Sequence, residues 1–197
     1  QARGALVILA FFVLYLTHFA VQAGIGNWGP TIMQQESGLE ERTATLFISG
    51  FWAAMVLGRF GAATLTRYLT SKMLVILSAA GLTLALAITM IPSSAPFAYG
   101  IAGFFLGPIF PTGLAWLSAS GYGRGNTFAF LIAGSMLGMA IAPSLLGWQM
   151  EQHGSSNVAI LLLLVSILVL VSALAVMAFT NRAQAVTVRS LVVQDPS

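Results

Sequence analysis

Residues Val158 to Thr180 read V-A-I-L-L-L-L-V-S-I-L-V-L-V-S-A-L-A-V-M-A-F-T, without a charge, a proline or a glycine. About 20 such residues, coiled as a helix, cross the roughly 30 Å hydrocarbon core of a bilayer. Five more runs of the same kind precede it: Ala5–Gly26, Thr43–Leu65, Met73–Ile91, Phe97–Ser118 and Asn126–Gln149. The runs are continuous rather than alternating. That favours helices over a membrane barrel, because each helix bonds its own backbone internally. The expected fold is therefore an all-α membrane protein, a bundle of six transmembrane helices over residues 1–182. A polar, disordered cytoplasmic tail is expected over 183–197.

Composition agrees. Of 197 residues 58% are apolar and 7% are charged, where a soluble domain carries about 25% charged residues. A water-facing surface cannot be built from so few charges. The net charge of +3 comes from scattered residues. It forms no basic patch with interleaved aromatics, so nucleic acid is not expected as a partner. Cysteine is absent, which excludes disulfides and thiolate metal sites. No metal or cofactor is expected. The chain begins at Gln1, and its first run is too long for a signal-peptide core. A region upstream is expected.

The connections between runs carry turn and breaker residues: Ser37-Gly38, Pro92 to Pro96, Gly121 to Gly125 and Gly154 to Asn157. Charge orients the bundle. Arg3, Arg67, Lys72, Arg124, Arg182 and Arg189 fall on one side, and Glu36, Glu40, Glu41 and Glu151 with Arg42 on the other. The basic side is cytoplasmic by the positive-inside rule. Six crossings then put both termini in the cytoplasm of a multi-pass cell-membrane protein. Arg59, near the cytoplasmic end of the second span, can snorkel to the interface. Gly103-x-x-x-Gly107 and Gly134-x-x-x-Gly138 are places where helix backbones can approach closely.

Polar groups at bilayer depth ask for a reason. Tyr15, His18 and Gln22 recur at helical spacing on one face of the first span. They read as a stripe facing a water-filled cavity or as an interhelical hydrogen-bond cluster. His18 is the group there that could carry a coupling proton. Gly24-Ile-Gly-Asn-Trp-Gly-Pro30 formally matches a dinucleotide fingerprint. No strand precedes it and a proline follows, so it reads instead as a broken helix end presenting Asn27 and Trp28. In the fourth span, Gly107-Pro-Ile-Phe-Pro-Thr-Gly113 is expected to bend or break the helix and free carbonyls.

The two interruptions fall in the leading helices of two three-helix sets. Paired interruptions of that kind mark the substrate site in carriers built from inverted repeats. Two inverted three-helix repeats are therefore expected. The first and fourth helices should line one cavity, with Trp52 and Trp116 as further stacking faces. The expected solute-binding set is Tyr15, His18, Gln22, Asn27, Trp28, Trp52, Pro108, Phe110, Pro111 and Thr112. Uncharged polar groups with aromatics suit a neutral hydroxylated solute such as a sugar. An aromatic, apolar cavity also suits lipophilic solutes, so drug or metabolite efflux is the alternative.

The chain also resembles the C-terminal half, spans seven to twelve, of a major facilitator superfamily transporter, and within it the fucose-permease-like sugar transporters. Tyr15 through Trp28 and Pro30, Ser49-Gly-Phe-Trp-Ala with Gly58-Arg59, and Gly107-Pro-Ile-Phe-Pro-Thr112 carry the resemblance. Arg59, Arg67 and Lys72 resemble the family's basic cytoplasmic loop. The resemblance implies secondary active transport by alternating access, with the missing N-terminal half or a second copy of this chain completing the cavity. Relatives often have Glu where this chain has Gln22, which cannot titrate. A coupling proton then belongs on His18 or in the other half.

No enzyme is expected. Ser118-Ala-Ser-Gly121 loosely resembles an intramembrane serine-protease motif, but the sixth span holds no His. Paired Asn-Pro-Ala boxes and repeated arginines within one span, the marks of water channels and voltage sensors, are missing. A non-transporting membrane scaffold is the remaining alternative.

Overall fold

The computed structural model describes the backbone from Ala2 to Gln194 and the side chains of residues 4–181. Six helices follow one another: α1 Ala2–Ser37, α2 Glu41–Leu65, α3 Ser71–Ile88, α4 Ala95–Ala119, α5 Thr127–His153 and α6 Ser155–Gln194. No strand occurs among the described residues. All six helices are long and apolar enough to cross a membrane. The tail expected over 183–197 falls on residues outside the described side chains.

The surface is as apolar as the core. Leu57, Phe60, Leu84 and Phe97 are all more than half exposed. Large apolar side chains turned outward from every helix are stable only against lipid. Inside, α1 and α4 form the central pair. α1 packs chiefly against α5 and α6, α4 packs chiefly against α2 and α3, and α3 touches α6.

The small residues set these approaches. A Cβ built on Gly103 would strike the Phe51 carbonyl of α2, and one on Gly107 the Met55 carbonyl. Gly58 of α2 meets the Phe104 carbonyl of α4 in return. On the other side of the bundle, Gly138 of α5 meets the Leu16 carbonyl of α1 and Gly134 the Phe12 ring. Both Gly-x-x-x-Gly pairs are thus helix contacts. Backbone-to-backbone approach of this kind brings Cα–H donors onto carbonyls, where lipid offers no competing hydrogen bond.

The expected helix breaks do not occur. α1 runs unbroken through Gly24 to Pro30, and α4 through Pro108 and Pro111. The physical reason lies in the neighbours. Gly24 receives the Leu146 and Leu162 side chains, Gly26 the Trp52 ring and Gly29 Ile48. These glycines make room for packing instead of ending the helix. Pro108 removes the donor for the Phe104 carbonyl. That same carbonyl rests on Gly58, so the helix continues at little cost. The continuous α1 spans about 54 Å at the helical rise. It therefore projects past the hydrocarbon core to Glu36 and Ser37. There Ser37 Oγ donates to the Pro92 carbonyl at 2.8 Å. Ser155 and Ser156, at the start of α6, both donate to Glu36 Oε1. Gly154, with φ 83°, makes the sharp link from α5 into that start, a conformation that favours glycine.

Candidate functional site

Tyr15, His18 and Gln22 are all buried, at 0%, 2% and 6% exposure. They lie on the side of α1 that meets α4. The Tyr15 ring stands edge-on to Phe110 with centroids 5.2 Å apart, and Phe19 meets the same Phe110 at 5.1 Å. Below them Phe11 packs edge-on to Trp116 at 5.5 Å. Gly113 leaves room for the tyrosine: a Cβ there would lie 2.6 Å from the Tyr15 hydroxyl. Thr112 is buried too, on the face of α4 that carries Pro108. Tyr15 thus meets Phe110 and Gly113 where α1 and α4 touch, with His18 and Gln22 on the same face of α1.

Their polar atoms are not satisfied there. Tyr15 Oη, His18 Nδ1 and Gln22 Oε1 are buried without a hydrogen-bond partner among the described residues. An orphaned buried polar group costs about 1–3 kcal/mol. Three on one helix face is a cost that ordinary packing avoids. By contrast the buried hydroxyl of Thr17, on the same helix, donates to Val13 O at 2.7 Å. Arg59 lies within electrostatic reach of His18.

The remaining expected residues are elsewhere. Asn27 is exposed and its Nδ2 donates to Ala23 O at 2.7 Å. Trp28 turns toward α5: Nε1 donates to Pro143 O at 2.8 Å, and its ring fills the space over Gly147. It is a pin between helices. Trp52 is 40% exposed and stacks over Gly26. Its contact at Gly26 lies about one turn of α1 beyond Gln22. Pro108 does not face α1. It lines an apolar groove of about 490 Å³ between α2, α3 and α4, with Gly58, Gly81, Phe104 and Phe105. Pro111 is exposed. Helical geometry explains the split, since positions 108 and 111 lie on a different face of α4 from 110 and 113.

The three basic residues are not one cluster either. Arg59 Nη2 contacts Met55 Sδ at 3.6 Å, Arg67 is exposed, and Lys72 Nζ donates to Asn181 Oδ1 at 3.2 Å. Sequence reasoning missed Phe19 and Gly113, the ring and the gap that complete the site, and the Glu36 clasp on α6. Phe19 was one apolar residue among many, and nothing in a linear pattern marks it. Glu36 had a signal, a carboxylate matched to a serine pair behind a glycine. The α5–α6 link was read only as a loop. No group of His, Asp and Glu able to hold a metal ion occurs among the described residues.

No family model matches the chain, and no curated protein matches it.

Proposed function

We propose that this chain is one half of a major-facilitator-type carrier that moves a small neutral solute, a sugar, by alternating access. The observation that carries the reading is the buried, unpartnered polar face of α1, Tyr15–His18–Gln22, set against Phe110 and Gly113 of α4. Groups that lack partners in a dry, closed packing are groups that meet hydroxyls when the helices part. Uncharged donors and acceptors beside aromatic rings match the two faces of a sugar.

The packing supports the reading. Exchanging α1–α3 with α4–α6 maps the dominant contacts onto themselves: α1 with α5 and α6 becomes α4 with α2 and α3, while α1–α4 and α3–α6 are unchanged. Two repeats about a pseudo-two-fold axis would pair their helices in this way, and these contacts support that reading; the α1–α2 contact has no α4–α5 counterpart of its extent. A facing six-helix unit, an N-terminal half or a second copy, completes the cavity wall. The basic ends at Arg67, Lys72 and Arg124 put that face in the cytoplasm. His18 is the group in this half that we assign to a coupled proton.

The test is counterflow of radiolabelled neutral sugars in proteoliposomes holding the protein from its natural reading frame. A carrier accumulates label transiently against unlabelled solute. Simple equilibration, or no flux across a panel of sugars, overturns the proposal. His18→Asn keeps a hydrogen-bonding side chain but does not titrate. Uptake that stays pH-dependent in it removes the proton from His18.

A further inference from the structure

At the end of the bundle that carries Arg67, Lys72 and Arg124, the start of α3, the end of α4 and the Thr180–Asn181 stretch of α6 enclose a pocket of about 340 Å³. Small-molecule sites run from roughly 300 to 1,000 Å³. The grooves beside Pro108 and beside Leu146 are walled almost wholly by apolar side chains. This pocket is lined instead by Ser71, Lys72, Ser120, Thr180 and Asn181, with the 5% exposed Trp116 against them. No carboxylate lines it.

The Ser120 and Thr180 hydroxyls give their protons to Leu117 O and Val176 O and can only accept, so the pocket's free donors come from elsewhere. Lys72 carries three N–H donors and uses one on Asn181 Oδ1. That bond turns the acceptor end of Asn181 inward to the lysine and leaves its two amide N–H groups free of any acceptor among the described residues. The Trp116 indole N–H has none there either. At the start of α3, Thr70 caps only the Met73 N–H. The Ser71 and Lys72 backbone N–H groups are unfilled by helix geometry and sit at the positive end of the helix dipole. A cation, an amide, an indole ring and a helix start thus line one cavity.

We propose that this pocket binds a phosphate group, with Lys72 as the counter-charge and Asn181, Trp116 and the first turn of α3 as donors to its oxygens. The phosphate belongs to an anionic phospholipid headgroup at the bilayer rim or to a soluble phosphate. The site is separate from the α1–α4 cluster and stands whether or not the chain transports a sugar.

The experiment is a tryptophan-fluorescence titration of the purified full chain in an uncharged maltoside detergent at constant ionic strength. The probes are inorganic phosphate, dioctanoyl phosphatidylglycerol and dioctanoyl phosphatidylcholine. A saturable change is expected, absent in Trp116→Phe. Lys72→Gln weakens binding about tenfold or more, the worth of one charge-assisted hydrogen bond, and Lys72→Arg largely restores it. Saturation by phosphatidylglycerol alone identifies the lipid headgroup, and saturation by inorganic phosphate a soluble source. No saturable response to either, or wild-type affinity in both Lys72→Gln and Asn181→Leu with helicity intact by circular dichroism, overturns the proposal.

Discussion

Gln22 sets stability against use. Its Oε1 is buried and unpartnered, so replacing it by an apolar residue of similar volume removes a cost without removing a bond. Gln22→Leu is therefore expected to raise stability by about 1–2 kcal/mol and to abolish counterflow. Thermal unfolding in detergent, read beside flux, checks both arms. A stabilised but inactive variant is the signature of a functional site holding unsatisfied groups. A variant that unfolds more easily means Gln22 has a partner. The glycines give the opposite kind of test. Gly103→Ala puts a methyl into the Phe51 carbonyl of α2, and overpacking of that sort costs about 1–3 kcal/mol. Gly100→Ala, three residues away on the same helix with nothing within 4 Å of the new Cβ, is expected to gain up to about 1 kcal/mol from helix propensity. The sign difference between two Gly→Ala changes on one helix is the measurement.

The six helices, their order and the two Gly-x-x-x-Gly contacts were legible in sequence, because hydropathy and small-residue spacing are local signals. Helix continuity was not. Glycine and proline at 24–30 and 107–113 look like breakers in isolation, and the pattern cannot say that Trp52, Ile48 or Gly58 will fill or cover each gap. The site was half legible for the same reason. The spacing of Tyr15, His18 and Gln22 put them on one face, and Phe110 packs against Tyr15. Trp28 and Pro108 belonged to other faces, decided by tertiary contacts. Trp28 then makes a prediction for its helix pair. Trp28→Phe keeps the ring over Gly147 and deletes the bond to Pro143 O. A cost of about 1 kcal/mol is expected, the usual worth of a hydrogen bond, with counterflow intact. Lost flux without lost stability would return Trp28 to the solute site. At the far end, Glu36→Ala removes the acceptor for Ser155 and Ser156. By analogy with lost N-caps, thermal unfolding should register about 0.5–2 kcal/mol.

At the scale of the molecule, the carrier proposed above would do two things at once: hold α1 and α4 together in lipid and let them part on opposite sides in turn. The division of contacts suits this. α1 packs with α5 and α6, α4 with α2 and α3, and the two groups meet along α1–α4, α3–α6 and α1–α2. The polar atoms that would reward opening lie along the first seam. The absence of native cysteine makes the motion measurable. Single cysteines at Ser93 and Gln152, in or beside the connections at one end of the bundle, and at Arg67 and Arg124, at the other, are expected to react with an impermeant maleimide from opposite sides of a sealed membrane, the basic pair from the cytoplasm. A cysteine at Gln22 should resist a small methanethiosulfonate in the closed packing and become reactive when a transported sugar is present on one side. Steady inertness of that position while flux proceeds would mean the α1–α4 seam stays shut through the cycle. The solute would then have to pass along another face of the bundle.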